Sequence, residues 1–205
     1  MTSATVPGSA VLAEPHERQV PPLGGFNLTA LKLEVRRVLR NRRTVMFILV
    51  FPSVFFFMFG ASAKAQSRNG AGALAYVMIS MAVYGAMVGT TAGGAAVAVE
   101  RSLGWSRQLR LTPLRPGAYV AMKVLTAMTL GLIAIVTEYA VGAATGVRLA
   151  PHVWLLSGVA GWLGSLVFAA FGLFMGFLLP SENVMQFVGP ILAVLAMFGG
   201  LFIPL

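Results

Sequence analysis

The chain has 205 residues, 58% of them hydrophobic and only 10% charged, with a net charge of +9 and a mean hydropathy of +0.83. A soluble domain covers itself with roughly a quarter charged residues, so the solvent of this chain is largely lipid. It contains no cysteine and no aspartate, which excludes disulfides, thiol catalysis, zinc–thiolate sites and paired aspartates. Its cations sit at the ends of apolar runs rather than in one patch, which is the membrane pattern and not that of a nucleic-acid binder.

Uncharged runs of about 20 residues match a hydrocarbon core of about 30 Å. Their backbone groups find no water there, so the runs must be helices or a closed barrel. Strict polar/apolar alternation, the barrel signature, is missing. The predicted fold class is therefore all-α, a polytopic helical membrane protein.

Residues 1–25 are small, polar and rich in Pro and Gly, without the basic start and apolar core of a signal peptide. They read as a disordered cytoplasmic tail, ahead of a transmembrane domain over 26–205. Asn27 can cap a helix running to about Arg43. Leu28, Leu31, Val35, Val38 and Leu39 share one face of it, and Lys32, Arg36, Arg37, Arg40 and Arg43 mostly cover the other. That makes an amphipathic, cationic helix lying along an anionic leaflet; the plainer alternative is basic flanking of the next span.

Span 1 is predicted over about 44–63, with Pro52 kinking it, and a polar loop over 64–72 follows. Span 2 covers about 73–99, with Gly85, Gly89 and Gly93 at a four-residue spacing that allows close helix approach. Span 3 covers about 119–144. Span 4 covers about 152–179, where Gly161, Gly164, Gly172 and Gly176 offer further close contacts. A polar turn at 180–186 leads into span 5, about 187–205.

Between spans 2 and 3 lies a basic island, ERSLGWSRQLRLTPLRPGAYVAMK, from Glu100 to Lys123. With the N-terminus in the cytoplasm, the inner side holds twelve cations and the outer side three, namely Lys64, Arg68 and Arg148. The positive-inside rule then places the island in the cytoplasm. Glu100 is either a solvated loop charge or a carboxylate fixing the island against the cations of the amphipathic helix. Residues 102–111 can form a short helix offering Leu103, Trp105 and Leu109. Thr112-Pro113 reads as a stop, or as the cap and first residue of the next helix.

No metalloprotease, nucleophile-elbow or phosphate-loop motif is present. Glu138 is the one carboxylate well inside an apolar run, about 22 Å along a helix from Lys123. It is a functional candidate by position, and the reading adopted is that it reaches the outer headgroups beside Arg148.

The order of a basic amphipathic helix, a Pro-bearing span, a Gly-rich span and then E-R-x-x-G-x-x-x-x-L-x-x-T-P-L-R-P resembles the permease subunit of ABC-2 type exporters. Glu100, Arg101, Gly104, Leu109, Thr112, Pro113, Leu114 and Arg115 carry the motif. The closing FGGLFIP is similar to the family's Ser-Gly-x-x-x-Pro segment, with Gly199 where Ser is usual. The resemblance implies six spans, so a sixth is absent from these residues. It implies a plasma (inner) membrane location, a second permease copy in a homo- or heterodimer, and separate ABC ATPase subunits. ATP and Mg are then held by the ATPase, and this chain binds no cofactor and no metal and catalyses nothing. It also makes the helix at 27–43 the interfacial connecting helix. The island becomes the ATPase-coupling loop, comprising Glu100, Arg101, Gly104, Trp105, Leu109, Arg110, Thr112, Pro113 and Arg115. ATP-driven motion would shift spans 1, 2 and 5 between inward and outward access. Small permeases of this shape resemble the drug- and antibiotic-export branch; lipid and polysaccharide export use the same form. The competing functions are an ion- or proton-coupled secondary transporter working through Glu138, and a non-transporting membrane scaffold.

Overall fold

The computed structural model describes residues 22–66, 70–105, 108, 111, 112 and 114–202. Among them every regular element is a helix, without strands. A 3-10 turn at Pro22–Gly25 precedes α1 (Leu28–Leu39), α2 (Arg42–Gln66), α3 (Gly70–Ala95), α4 (Val97–Ser102), α5 (Pro116–Ala144), α6 (Pro151–Leu178) and α7 (Val184–Phe198). The predicted tail over residues 1–25 lies outside the described residues up to position 21.

The Asn27 side chain accepts a hydrogen bond from the Thr29 amide at 2.8 Å, capping α1 as expected. The helix stops at Leu39, short of the predicted Arg43. Arg40 and Asn41 form a turn, and Arg43 belongs to the first turn of α2. The apolar face is also narrower than its sequence pattern: Leu31, Val35 and Val38 are half-buried, while Leu28 and Leu39 point away.

Among the described residues four helices are long and apolar enough to cross a membrane, over Arg42–Ser62, Gly72–Ser102, Pro116–Ala144 and Pro151–Leu178. The second runs through α3 and α4 with one turn residue at Ala96, 31 residues in all. At about 1.5 Å per residue it is about 46 Å long, so it outreaches a hydrocarbon core of about 30 Å. The predicted fifth span is shorter: α7 has 15 residues, about 22 Å. Pro116 at the first position of α5 fixes a helical φ at its start, so Arg115-Pro116, rather than Thr112-Pro113, opens the third span.

The core is built around α3, which packs against α2, α5, α6 and α7. Small residues make this possible. A Cβ added at Gly93 would fall 2.9 Å from the Ala127 Cα of α5, and one at Gly94 would fall 2.6 Å from the Ala169 oxygen of α6. Gly85 and Gly89 face Pro52 and Ile48 of α2 on one side and Ala134 and Leu130 of α5 on the other. From α6, Gly172 rests on the backbone of Thr91 and Gly176 on that of Ala95. Gly164, by contrast, has nothing within 4 Å. The outer face of α6, with Leu155, Leu156, Leu163, Val167 and Phe174, is exposed.

Candidate functional site

At one end of the bundle α1, α4 and α5 converge. Glu34 and Arg37 are three residues apart on α1, and Tyr119 and Lys123 are four apart on α5, so each pair shares a helix face. Glu100, at the end of the long second rod, enters between them and is 5% exposed. Its carboxylate accepts a hydrogen bond from the Tyr119 hydroxyl at 2.7 Å and pairs with Arg37 and Lys123. Lys123 also pairs with Glu34, and Arg37 reaches Glu34 at 2.7 Å. The Lys123 ammonium lies 5.4 Å from the Tyr119 ring centroid. Burial of the Arg37 guanidinium opposes its charge, but the Glu100 and Glu34 carboxylates outweigh that and hold it above its ordinary pKa. Two carboxylates and two cations form a closed, charge-balanced knot.

Of the two readings open for Glu100, the structure therefore selects the fixing carboxylate. Lys123, counted in the sequence as a cation of the island, is 6% exposed and turned inward. Arg101, one residue on, points the opposite way. Its guanidinium donates to the carbonyl oxygen of Gly176 at 3.1 Å and to that of Phe177, and lies 5.9 Å from the Phe177 ring centroid. A cation at the last carbonyls of α6 satisfies groups that the helix cannot and complements its dipole.

Gly104 adopts φ +77, with its amide donating to the Arg101 oxygen at 3.1 Å. This left-handed cap ends the rod, so the predicted 102–111 helix does not begin at Ser102. Trp105 is exposed beyond it. Leu109, Arg110 and Pro113 lie outside the described residues. The Arg115 amide donates to the Gly24 oxygen at 2.9 Å, so the start of the described chain rests on the entry to α5. Lys32, Arg36, Arg40 and Arg43 are exposed, with Arg36 and Arg40 following the polar face of α1.

A groove of about 500 Å³ runs between α2, α3 and α7. Phe47, Phe51, Tyr84, Val88, Val188 and Leu192 line it, together with Arg43 and Thr44. Phe47, Phe51, Phe55 and Phe59 recur every fourth residue of α2, with successive ring centroids 5.0, 4.5 and 5.5 Å apart. Phe202 joins the row 6.4 Å from Phe55. A second hollow of about 330 Å³, lined by Arg37, Asn41, Glu100, Trp105 and Ser181, shares Thr44 and Ala92 with the groove. The aromatic row shows in the sequence as a spacing of four, a signal that hydropathy alone does not register.

Glu138 does not reach outward. It is 1% exposed, with Oε2 lying 2.8 Å from Ser53 Oγ of α2, whereas Arg148 is exposed. The carboxyl turns into the bundle because position 138 lies on the same face of α5 as Ala134 and Gly142, which meet Gly85 and Met78 of α3. Among the described residues no group of His, Cys, Asp and Glu could hold a metal ion.

The sequence profile of the ABC-2 type transporter family matches residues 27–205. The chain belongs to that family. A Bacillus subtilis (strain 168) protein named "Putative transport permease YvfS" is 28% identical over 173 residues, 83% of this chain and 71% of the relative. No solved structure matches. This ABC-2 chain is thus a multi-pass permease subunit of an ABC transporter. Membership in general carries an ABC ATPase partner and a dimeric arrangement. In this permease the knot joins the ends of the elements flanking the island, and the aromatic groove lies between the first, second and fifth apolar helices.

Proposed function

We propose that the chain forms half of the translocation path of an ATP-driven exporter, completed by a second permease copy and driven by separate ABC ATPase subunits that hold ATP and Mg. The N-terminus and island lie in the cytoplasm, in a plasma (inner) membrane, with α1 along the anionic leaflet. The cargo is a drug, antibiotic, lipid or polysaccharide, and the apolar groove beside Arg43 suits the drug- and lipid-like end of that range.

One observation carries this reading: the Glu100 knot ties the amphipathic helix, the end of span 2 and the start of span 3 into one body around the island. A push on the island then cannot be absorbed by a loose loop. It tilts the long rod, whose other faces line the groove. The energy comes from ATP binding one arrangement of the ATPase pair better.

The test uses Leu109→Asp and Trp105→Asp in the island. Both variants are expected to insert normally and to lose co-purification of the ATPase subunit. Full retention of the ATPase by both would remove the coupling-loop reading. Because the chain has no cysteine, a single cysteine at Ser102 reports the side: an impermeant thiol reagent should label it in inverted vesicles and not in intact cells.

A further inference from the structure

We propose that Glu138 carries its proton inside the membrane, acting as a neutral hydrogen-bond donor that fastens α5 to α2 beside Pro52. Ser53 Oγ lies 2.8 Å from Glu138 Oε2 and 3.0 Å from the Leu49 carbonyl oxygen. A hydroxyl has one hydrogen to give. If Glu138 is ionised, two acceptors compete for that hydrogen, and Oε1, which is buried and has no hydrogen-bond partner, is a charged oxygen left bare. If the proton sits on Oε2, every hydrogen is used: Oε2 donates to Ser53 Oγ, and Ser53 donates to Leu49. Oε1 is then a neutral carbonyl oxygen, far less costly to leave unpaired than half of a buried charge.

Apart from the shared Ser53 hydroxyl, the described residues bring the ionised form no cation. The described ion pairs all lie in the Glu100 knot. In the sequence, α2 has cations only near its ends, at Arg42, Arg43 and Lys64; α3 has none; α6 has His152 in its first turn. Two tyrosine hydroxyls are committed to other partners: Tyr76 donates to the Gly200 carbonyl, and Tyr139 bonds the Ser157 hydroxyl at 2.8 Å. Glu138 lines neither of the two hollows described above.

The location gives the bond its use. Pro52 has no amide hydrogen, so the helical ladder of α2 lacks one link at that point, and Pro52 faces Gly85 of α3. The acid–serine bond, one residue on, holds the weakened turn against α5. Glu138 is therefore a positioning residue for the first span.

The experiment is infrared difference spectroscopy of the full chain in phosphatidylcholine vesicles, wild type minus Glu138→Gln, at neutral pH. The expected result is one protonated-carboxyl C=O band, which moves when Ser53→Ala removes its acceptor. Glu138→Gln, whose amide can donate to the same Oγ, should keep the wild-type thermal midpoint, while Glu138→Ala lowers it. A difference spectrum showing only the paired stretches of an ionised carboxylate would overturn the proposal. So would a Glu138→Gln protein as destabilised as Glu138→Ala.

Discussion

Glu100 shows how one residue type can be read from sequence and still need its neighbours to be understood. A carboxylate at the end of an apolar run is ordinarily a headgroup charge, worth little. Here it is buried against Lys123, also buried, so removing it leaves an ammonium without half of its partners. Glu100→Ala should lower stability by about 3 kcal/mol, the lower end of the cost of breaking a buried pair, since Glu34 still reaches Lys123. Thermal unfolding in detergent checks this. The double variant Glu100→Ala/Lys123→Met removes the orphaned charge and should recover part of the loss. Equal midpoints for the single variant and wild type would mean that the knot is not buried in solution. Arg101, beside it, could not have been assigned from sequence, because its partners are carbonyl oxygens 75 and 76 residues away.

At the scale of elements, the glycines decide which helices touch. Gly85, Gly89, Gly93, Gly172 and Gly176 follow one logic: without a Cβ, two backbones approach closely, and dispersion rather than hydrophobic driving force holds helices together in lipid. Gly172→Ala should destabilise the α3–α6 crossing by about 1–3 kcal/mol, the usual range for overpacking, because the new methyl meets first the Thr91 backbone, which cannot swing aside as a side chain can. Gly164→Ala, with open space around it, should be neutral in the same unfolding measurement. The first helix yields a milder prediction. Asn27→Ala removes the cap of α1 and should cost about 1 kcal/mol, visible as reduced protection of the 28–31 amides in hydrogen exchange.

The whole molecule behaves as a rod, α3 with α4, around which the other spans are arranged. Under the proposed function, a cargo meets this subunit at the groove between α2, α3 and α7. Phe51→Ala and Phe47→Ala should lower ATP-dependent transport in reconstituted vesicles several-fold while leaving ATPase co-purification unchanged. Loss of co-purification in these variants would instead assign the aromatic row to assembly.

The sequence by itself determined that the chain lives in lipid, that it is helical, where four of its spans lie to within a few residues, and to which family its island motif points. Those features are local: hydrocarbon thickness sets the length of a run, and caps, prolines and glycines act within a turn of where they stand. The tertiary structure decided what each charge does. Glu100, Lys123 and Glu138 turn inward and Arg101 turns sideways because their partners come from helices distant in the chain. Only the packing of small residues along α3 sets the rotation of those helices about their axes. A hydropathy pattern fixes how long a helix is, and contact with its neighbours fixes which way it faces.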